Sequence, residues 1–325
     1  MNLKNIVFVA VCAVLIASLC ACSGEMLQQD AHQQQGTGAL TPGTLGTNTS
    51  VGEIGALSPS DSFANAEHLL SVRVLKTGKS DCILITLNDT VILMDTADTD
   101  DYTEISKMLR SLGITRIDHL ILTHFDNDHI GSAAKVIETF EVVQVYMPDY
   151  VRDSGLYRSL IESLEKNAAR TTVQRLQDDC EIDLSAGKLW INVSRVYPEL
   201  SHQEPIPEDS MDNDLSLICG LVLDDFSALF LGDAEKARCE DFLAQTQYTG
   251  QYDFIKLPHH GSLNKALRDL LTQSGVKYGV ICTDAFASIE AEVVTLMRNL
   301  GALTYYSYNG TMLLRTDGKT VECKQ

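Results

Sequence analysis

The sequence predicts an α/β fold in four layers, an αββα sandwich in which two mixed sheets pack face to face and helices cover both outer faces. This prediction depends on the order of the patterns that follow about Glu67. Short β-branched runs first cluster and then alternate with runs that carry apolar residues at helical spacing. The same order is repeated in the second half of the chain, and two mixed sheets with helices outside satisfy it.

The first half begins with a strand meander and continues with alternating helices and strands. The turn-forming stretches "KTGKSD" and "LNDT" separate its first three runs, and the first helix ends at Gly113. The predicted elements are strands "LLSVRVL", "CILITL" and "TVILMD", helix "YTEISKMLRSLG", strand "DHLILT", helix "GSAAKVIETF", strand "VVQVYM" and helix "LYRSLIESLEKNAAR".

The second half has the same character and finishes with two closing strands. Its predicted elements are strands "KLWINVSRVYP", "LSLICGLVL" and "FSALFLGD", helix "EKARCEDFLAQT", strand "YDFIKLP", helix "NKALRDLLTQSG", strand "KYGVICT", helix "SIEAEVVTLMRNLG" and strands "LTYYSY" and "TMLLRT".

The N-terminal residues have the pattern of an export signal. Lys4 supplies a positive start, and the apolar run after it is too short to span a bilayer comfortably. Its end, "LCAC", resembles a bacterial lipobox, which implies that residues 1–21 are a lipoprotein signal peptide and that Cys22 is lipidated. The alternative is a plain secretory signal with incidental cysteines. Residues 22–66 are polar and predict a flexible linker, so the folded domain is 67–325, and we expect it to be lipid-anchored on the extracellular face of a bacterial cell membrane.

The charge of the chain limits its partners. With 25 Lys+Arg against 44 Asp+Glu, the formal net charge is −19. Such a surface repels nucleic acid and anionic lipid headgroups, because a phosphate-binding face normally needs clustered basic residues. We therefore expect membrane contact only through the lipid anchor, and we infer no obligate protein partner. The cysteines contain no C-x-x-C pair, and their spacing demands no disulfide.

The stretch "THFDNDH" concentrates residues of metal-ligand type directly behind a strand. In such a loop, His124, Asp126 and Asp128 can turn toward a shared centre, and His129 approaches it from another side. Imidazole and carboxylate ligands suit Zn²⁺, Mn²⁺ or Fe²⁺. Four ligands exceed what one catalytic ion needs, so two divalent ions, Zn or Mn, fit better. An acidic turn with two surface histidines is the alternative.

Two later stretches complete the candidate set. "LFLGD" ends a strand with Asp233, and "KLPHHGS" follows a strand with His259 and His260. Each stretch is weak evidence alone, but their order along the chain is specific.

This order of motifs resembles the metallo-β-lactamase superfamily, and within it the extracellular hydrolase domain of ComEC-type DNA-uptake proteins. The resemblance runs from about Ser71 to Arg315. "VILMDTA" looks like the first motif of the family, with Asp95 as its aspartate. "DNDLSLI" is similar to a turn that the family places before a strand, with Asn213 and Ser216 at the matching positions.

The resemblance implies a role for each candidate. His124 and Asp126 would hold the first ion, Asp128 and His129 the second, and Asp233 would bridge both. His260 would close the second site, His259 would orient by hydrogen bonding, and Asp95 would brace the ligand loop. A hydroxide shared by the ions would be the nucleophile, and Asp128 would take a proton, which makes Asp128 and Asp233 the catalytic pair.

The sequence departs from the family pattern at three places. Between His129 and His259, the candidate for the family's third histidine of the first ion is His202, in a polar loop. "DTA" at 95–97 lacks the usual glycine. "DAFASIE" stands where the ComEC-type branch carries a Tyr-Gly-His-Pro turn, so a substrate contact is missing or replaced.

Taken with the resemblance, these residues predict a lipid-anchored, binuclear-metal hydrolase of a phosphodiester or phosphate ester. Its substrate would be a small phosphorylated compound or single-stranded nucleic acid. The alternatives are a ComEC-like DNA nuclease, a small-molecule envelope hydrolase similar to phosphorylcholine esterases, and a non-catalytic metal-binding scaffold lipoprotein.

Overall fold

The computed structural model describes residues 62–200 and 202–325. The predicted signal peptide 1–21, Cys22 and most of the predicted linker lie outside the described residues, and the start of the domain at residue 67 stays a prediction.

The first sheet has eight strands in the order β15-β14-β1-β2-β3-β4-β5-β6. Neighbouring strands from β15 to β3 are antiparallel, and those from β3 to β6 are parallel. Its strands are β1 (Leu70–Val74), β2 (Ile83–Leu87), β3 (Thr90–Met94), β4 (Arg116–Ile121), β5 (Glu141–Pro148), β6 (Thr172–Leu176), β14 (Met312–Thr316) and β15 (Val321–Lys324).

The second sheet has seven strands in the order β13-β12-β11-β10-β9-β8-β7. Strands β7 to β10 pair antiparallel, and β10 to β13 pair parallel, so this sheet is mixed as well. Its strands are β7 (Cys180–Asp183), β8 (Lys188–Asn192), β9 (Ile218–Leu223), β10 (Phe226–Phe230), β11 (Phe254–Lys256), β12 (Tyr278–Ile281) and β13 (Leu303–Tyr306).

Eight α-helices occur in the described part of the chain. Two of them, α2 and α5, are single turns beside the candidate site, and the others are the longer helices that the apolar spacing predicts. They are α1 (Tyr102–Ser111), α2 (Asn127–Ile130), α3 (Ala133–Thr139), α4 (Gly155–Lys166), α5 (Met211–Asp214), α6 (Lys236–Ala244), α7 (Lys265–Ser274) and α8 (Ala291–Asn299).

Three apolar clusters hold these elements in four layers. The central cluster lies between the sheets and includes Ile85 and Leu221. A second cluster packs α1, α3 and α4 on the outer face of the first sheet, and a third packs α6, α7 and α8 on the second sheet. The predicted αββα sandwich is confirmed.

The structure adds strands that the sequence patterns did not predict. Strand β6 is mostly exposed and β7 is partly exposed, so neither carries a clear apolar alternation. After β13, the chain leaves the second sheet and β14 and β15 extend the first, which places "LTYYSY" and "TMLLRT" in different sheets. Among the described residues, no helix is long and apolar enough to cross a membrane.

Candidate metal centre

The candidate residues meet where strands of both sheets end. Asp95 follows β3, and the loop with His124 and His129 follows β4. From the second sheet, Asp233 comes after β10, and His259 and His260 come directly after β11. The fold therefore gathers motifs that are up to 165 positions apart in sequence (260 minus 95).

The two motif histidines are fully buried and face one another. The ring centroids of His124 and His129 are 4.0 Å apart, and both side chains are 0% exposed. The Nε2 atom of each ring has no hydrogen-bond partner among the described residues. A buried polar atom normally has a partner, so these two nitrogen atoms indicate that the site is built for a further ligand.

Asp95 connects the strand end to the ligand loop. Its carboxylate accepts hydrogen bonds of 2.8 Å from the backbone N–H and from the hydroxyl of Thr123, and it lies 2.8 Å from His129 Nδ1. This last contact orients the imidazole so that Nε2 points into the site, as partners of metal-binding histidines do. These contacts join the end of β3 to the loop that carries His124 and His129.

Asp233 is central among the candidate ligands. Its Oδ1 lies 3.3 Å from His129 Nε2 and accepts a 3.1 Å hydrogen bond from the backbone N–H of His259, and its Oδ2 lies 3.9 Å from His260 Nε2. Ligand atoms lie within 4.8 Å of one another in the set His124, His129 and Asp233, and again in the set Asp233, His259 and His260. Asp233 is shared by the two sets, which is the position that a bridging ligand needs.

The adjacent histidines 259 and 260 differ in their surroundings. His260 Nε2 lies 3.5 Å from Asp128 Oδ2, and its Nδ1 lies 3.3 Å from the carbonyl oxygen of Cys282. His259 Nδ1 instead contacts Glu235 at 3.1 Å. His260 therefore lies beside Asp128 and His259 beside Glu235, and both histidines belong to one candidate ligand set with Asp233.

Asp126 and Asp128 lie at the rim of the site, about one third exposed. Asp126 Oδ1 forms a 2.9 Å ion pair with Arg152, and its Oδ2 lies 3.9 Å from His124 Nε2. One oxygen of the predicted first-ion ligand is thus held by a guanidinium group and the other faces the histidine. His202 hydrogen-bonds to the backbone of Asp149 and is not in the candidate ligand sets of the described residues.

The predicted turn with Asn213 and Ser216 supports the second sheet's side of the site. Ser216 Oγ accepts a 3.3 Å hydrogen bond from the backbone N–H of Asp233. Asn213 Nδ2 donates to Glu235 at 3.1 Å, while its Oδ1 is buried without a partner among the described residues. Both residues position others, and neither side chain joins the candidate ligand sets.

Four charged residues at the site were missed by the sequence reasoning. Arg152 contacts not only Asp126 but also Asp212, which is fully buried and accepts hydrogen bonds from Tyr150 and the backbone of Phe125. Lys256 and Asp81 form a buried ion pair beneath the site. The signal for Lys256 was available, because a lysine inside the apolar strand run "YDFIKLP" needs a buried anion.

The electrostatics of the site favour cations. Burial lowers the pKa of His124 well below its usual range, which keeps this imidazole neutral. Burial also lowers the pKa of His129, but Asp233, Asp95 and Asp81 outweigh burial and raise it well above the usual value. Although burial raises the pKa of Asp233, His129 and Lys256 hold it well below its ordinary value. The donor set of neutral imidazole and carboxylate fits Zn²⁺ or Mn²⁺.

Comparison with known proteins agrees with this fold and donor set. Residues 75–201 match the family model of the metallo-beta-lactamase superfamily. The metallo-beta-lactamase fold protein YhfI from Bacillus subtilis matches with a TM-score of 0.50 at 10% identity, over 77% of this chain and 100% of that one. The chain therefore has the metallo-β-lactamase fold, and the family-model match over residues 75–201 supports a place in the superfamily. Members of the superfamily are mostly metal-dependent hydrolases, typically with two ions.

Two curated relatives have weaker similarity. Recombination protein 2 of Haemophilus influenzae is 28% identical over 209 residues, which make up 62% of this chain and 23% of that protein. ComE operon protein 3 of Bacillus subtilis is 28% identical over 174 residues, or 53% of this chain and 21% of that protein. The similarity thus spans less than a quarter of either relative's length.

Proposed function

We propose that this chain is a binuclear-metal hydrolase of a small phosphodiester or phosphate ester, held on the extracellular face of the cell membrane by lipid on Cys22. The observation that carries the enzymatic part is the pair of buried Nε2 atoms of His124 and His129, which have no hydrogen-bond partner among the described residues and belong to one candidate ligand set with Asp233. A protein that binds no metal has no reason to keep two such atoms unsatisfied, so they support the metal centre that the proposed hydrolysis needs.

The candidate ligands form a buried group and a partly exposed group at the rim. His124, His129 and Asp233 would hold ions from below, and Asp126, Asp128 and His260 from the rim. Two bound divalent ions would supply an activated water molecule and Lewis-acid stabilisation of charge on the phosphate oxygens. Asp128, partly exposed and near His260, would take up a proton from the substrate side.

The choice of a small substrate depends on charge. The rim of the site carries Asp126, Asp128 and Glu235, and the whole chain has a net charge of −19. A polyanion experiences this repulsion at each of its phosphates, whereas a small diester experiences it once.

A ComEC-like nuclease is the second candidate, because the relatives include a protein named for recombination. The acidic surface opposes it, and "DAFASIE" supplies no histidine where the ComEC-type branch has one. Turnover measurements distinguish the other two alternatives. An envelope hydrolase would turn over a small envelope compound, and a scaffold lipoprotein would turn over no substrate.

The enzymatic proposal is tested with purified, Zn²⁺- or Mn²⁺-loaded protein and bis(p-nitrophenyl) phosphate. We expect close to two bound ions by elemental analysis and metal-dependent turnover that His129→Ala abolishes. Asp233→Ala should lose both ions, and His68→Ala serves as the control, because this histidine contacts Asn88 at the end of the first sheet away from the site. Metal binding without turnover of any phosphoester would favour the scaffold, and full metal occupancy in Asp233→Ala would exclude the bridging role.

The anchor is tested separately, because Cys22 lies outside the described residues. Protein expressed with its signal should fractionate with membranes, and Cys22→Ala should release it, since a diacylated cysteine binds a bilayer much more tightly than a single chain does. Unchanged membrane association of Cys22→Ala would contradict lipid anchoring at this residue.

A further inference from the structure

Lys256 is a fully buried cation beneath the metal centre. It ends β11, and its strand neighbours Phe230 and Val280 belong to the core between the two sheets. Its Nζ donates a 3.0 Å hydrogen bond to the carbonyl oxygen of Gly232, pairs with the Asp81 carboxylate and lies 3.4 Å from Asp233 Oδ1. The ammonium group therefore sits between two carboxylates, one from each sheet.

Asp81 joins this lysine to the ligand loop. It precedes β2, and its backbone N–H donates to the carbonyl oxygen of Asp128 at 3.0 Å. Its own carbonyl oxygen accepts from the N–H of Ala97 at 2.8 Å, and its carboxylate lies 4.0 Å from His129 Nδ1. A continuous line of contacts thus runs from Asp233 through Lys256 and Asp81 to the segment that carries Asp128 and His129.

The charges in this layer balance differently with and without metal. Asp81, Asp95 and Asp233 are buried carboxylates, and the Lys256 ammonium group contacts two of them, Asp81 and Asp233. Two carboxylates beside one ammonium group favour its charged form. A divalent ion held by Asp233 would add positive charge close to this same ammonium group.

We propose that Lys256 is a positioning residue of the metal centre. Its ammonium group is a fixed counter-ion that stabilises the metal-free site and weakens the binding of divalent ions. Without metal, the ammonium group prevents Asp81 and Asp233 from being unpaired buried charges, which are strongly destabilising. With metal, the same fixed charge repels the ions across a short distance in a medium of low dielectric constant. The inference rests on the proposed function only in that the site holds divalent ions.

The test compares Lys256→Met, Asp81→Asn and the double variant with the wild type, as metal-free and Zn²⁺-loaded protein. Lys256→Met should lower the melting temperature of the metal-free protein by on the order of 10 °C and that of the loaded protein by much less. A competition titration with a chromophoric chelator should show that this variant binds Zn²⁺ at least about tenfold more tightly. The double variant should recover most of the metal-free loss, because both partners of the pair are removed together.

A lysine with a packing role alone would lower both melting temperatures equally and leave the Zn²⁺ dissociation constant unchanged, and that result would overturn the proposal. If Lys256→Met does not fold without metal, Zn²⁺ should refold it, and failure to do so would equally overturn the proposal. Lack of phosphodiester turnover by the loaded wild type would contradict the proposed function but not this comparison, since no measurement here uses a substrate.

Discussion

Ala97 is a fully buried alanine with φ of 50°, a backbone conformation that favours glycine. It occupies the position where the resembled family usually has glycine. The departure from the family pattern therefore places a side chain on a backbone conformation that favours glycine. Asp95, His259 and His260 also have positive φ. Positive-φ backbone outside glycine is thus concentrated around the metal centre, as strain often is at functional sites.

Substitutions at Ala97 should separate backbone strain from packing. Ala97→Gly relieves about 1 kcal/mol of strain but loses a buried methyl group and gains unfolded-state entropy, so the free energy of unfolding should change by less than about 1 kcal/mol. Ala97→Val should lower it by about 2 kcal/mol or more, because a β-branched residue is a severe outlier at positive φ. Denaturant unfolding measures both, and equal stability of the two variants would contradict the strained geometry.

The protonation of His129 should couple metal binding to pH. Because the folded-state pKa of His129 is raised above its unfolded value near 6.5, its charged form stabilises the metal-free protein below about pH 6.5, and this contribution is lost as pH rises through the raised pKa. Metal must displace the same proton, so Zn²⁺ affinity should increase as pH rises. Calorimetry in buffers of different ionisation enthalpy should detect release of a proton on binding, and His129→Ala should remove it.

At this scale, the sequence indicates candidate ligands more clearly than their surroundings. His124, His129, Asp233 and His260 could be proposed as candidates because their chemistry and their position after strands are visible in the sequence. Lys256 and Asp81 were missed because their meaning depends on a pairing between two sheets, 175 positions apart (256 minus 81). A single sequence shows no contact of that kind.

At the scale of elements, Gly220 shows how closely β8 and β9 approach. It pairs with Trp190 across the two strands, and a Cβ at Gly220 would lie 2.0 Å from the indole ring. The indole also contacts Tyr248, with ring centroids 4.5 Å apart. The glycine is therefore required by the side chain that covers it.

Gly220→Ala should displace the indole and lower the free energy of unfolding by about 1–3 kcal/mol, as overpacking does. Trp190 is the single tryptophan of the chain, so its fluorescence spectrum should shift in the folded variant. Val222→Ala, an exposed position on the same strand, is the matched control and should leave the spectrum unchanged. An unshifted spectrum in Gly220→Ala would mean that the ring does not lie over this glycine.

The sequence predicts helices and strands correctly where apolar periodicity is strong. It misses strands that form because of pairing with a distant strand. The C-terminal halves of β3 and β4 carry consecutive buried apolar residues, Leu93 and Met94 in β3 and Leu120 and Ile121 in β4, because the sheet is covered on both faces there. Strand β6 is held by its parallel partner β5 although most of its side chains are exposed. The return of β14 to pair with β1 is likewise a long-range event that local patterns do not encode.

For the whole molecule, the net charge of −19 should appear in the salt dependence of turnover. The kcat/KM for bis(p-nitrophenyl) phosphate should change little between low salt and about 0.15 M salt, while any cleavage of single-stranded DNA should increase as repulsion is screened. Initial rates across a salt series measure both. Efficient DNA cleavage at low salt would contradict the charge argument and favour the nuclease.

The register of the first sheet determines how close each end of the domain lies to the metal centre. Leu70, at the start of β1, pairs with Leu87, and Leu87 pairs with Thr90 at the start of β3. Asp95 follows the other end of β3, about 15 Å from Thr90. Lys324 near the C-terminus is level with Leu313 and Arg73, toward the end of the sheet where the metal centre lies. If the domain is immobilised on a bead through its N-terminal side, the KM for a small substrate should therefore equal the KM in solution. Immobilisation through the C-terminus should bring the bead toward the mouth of the site, and the KM of larger substrates should rise first.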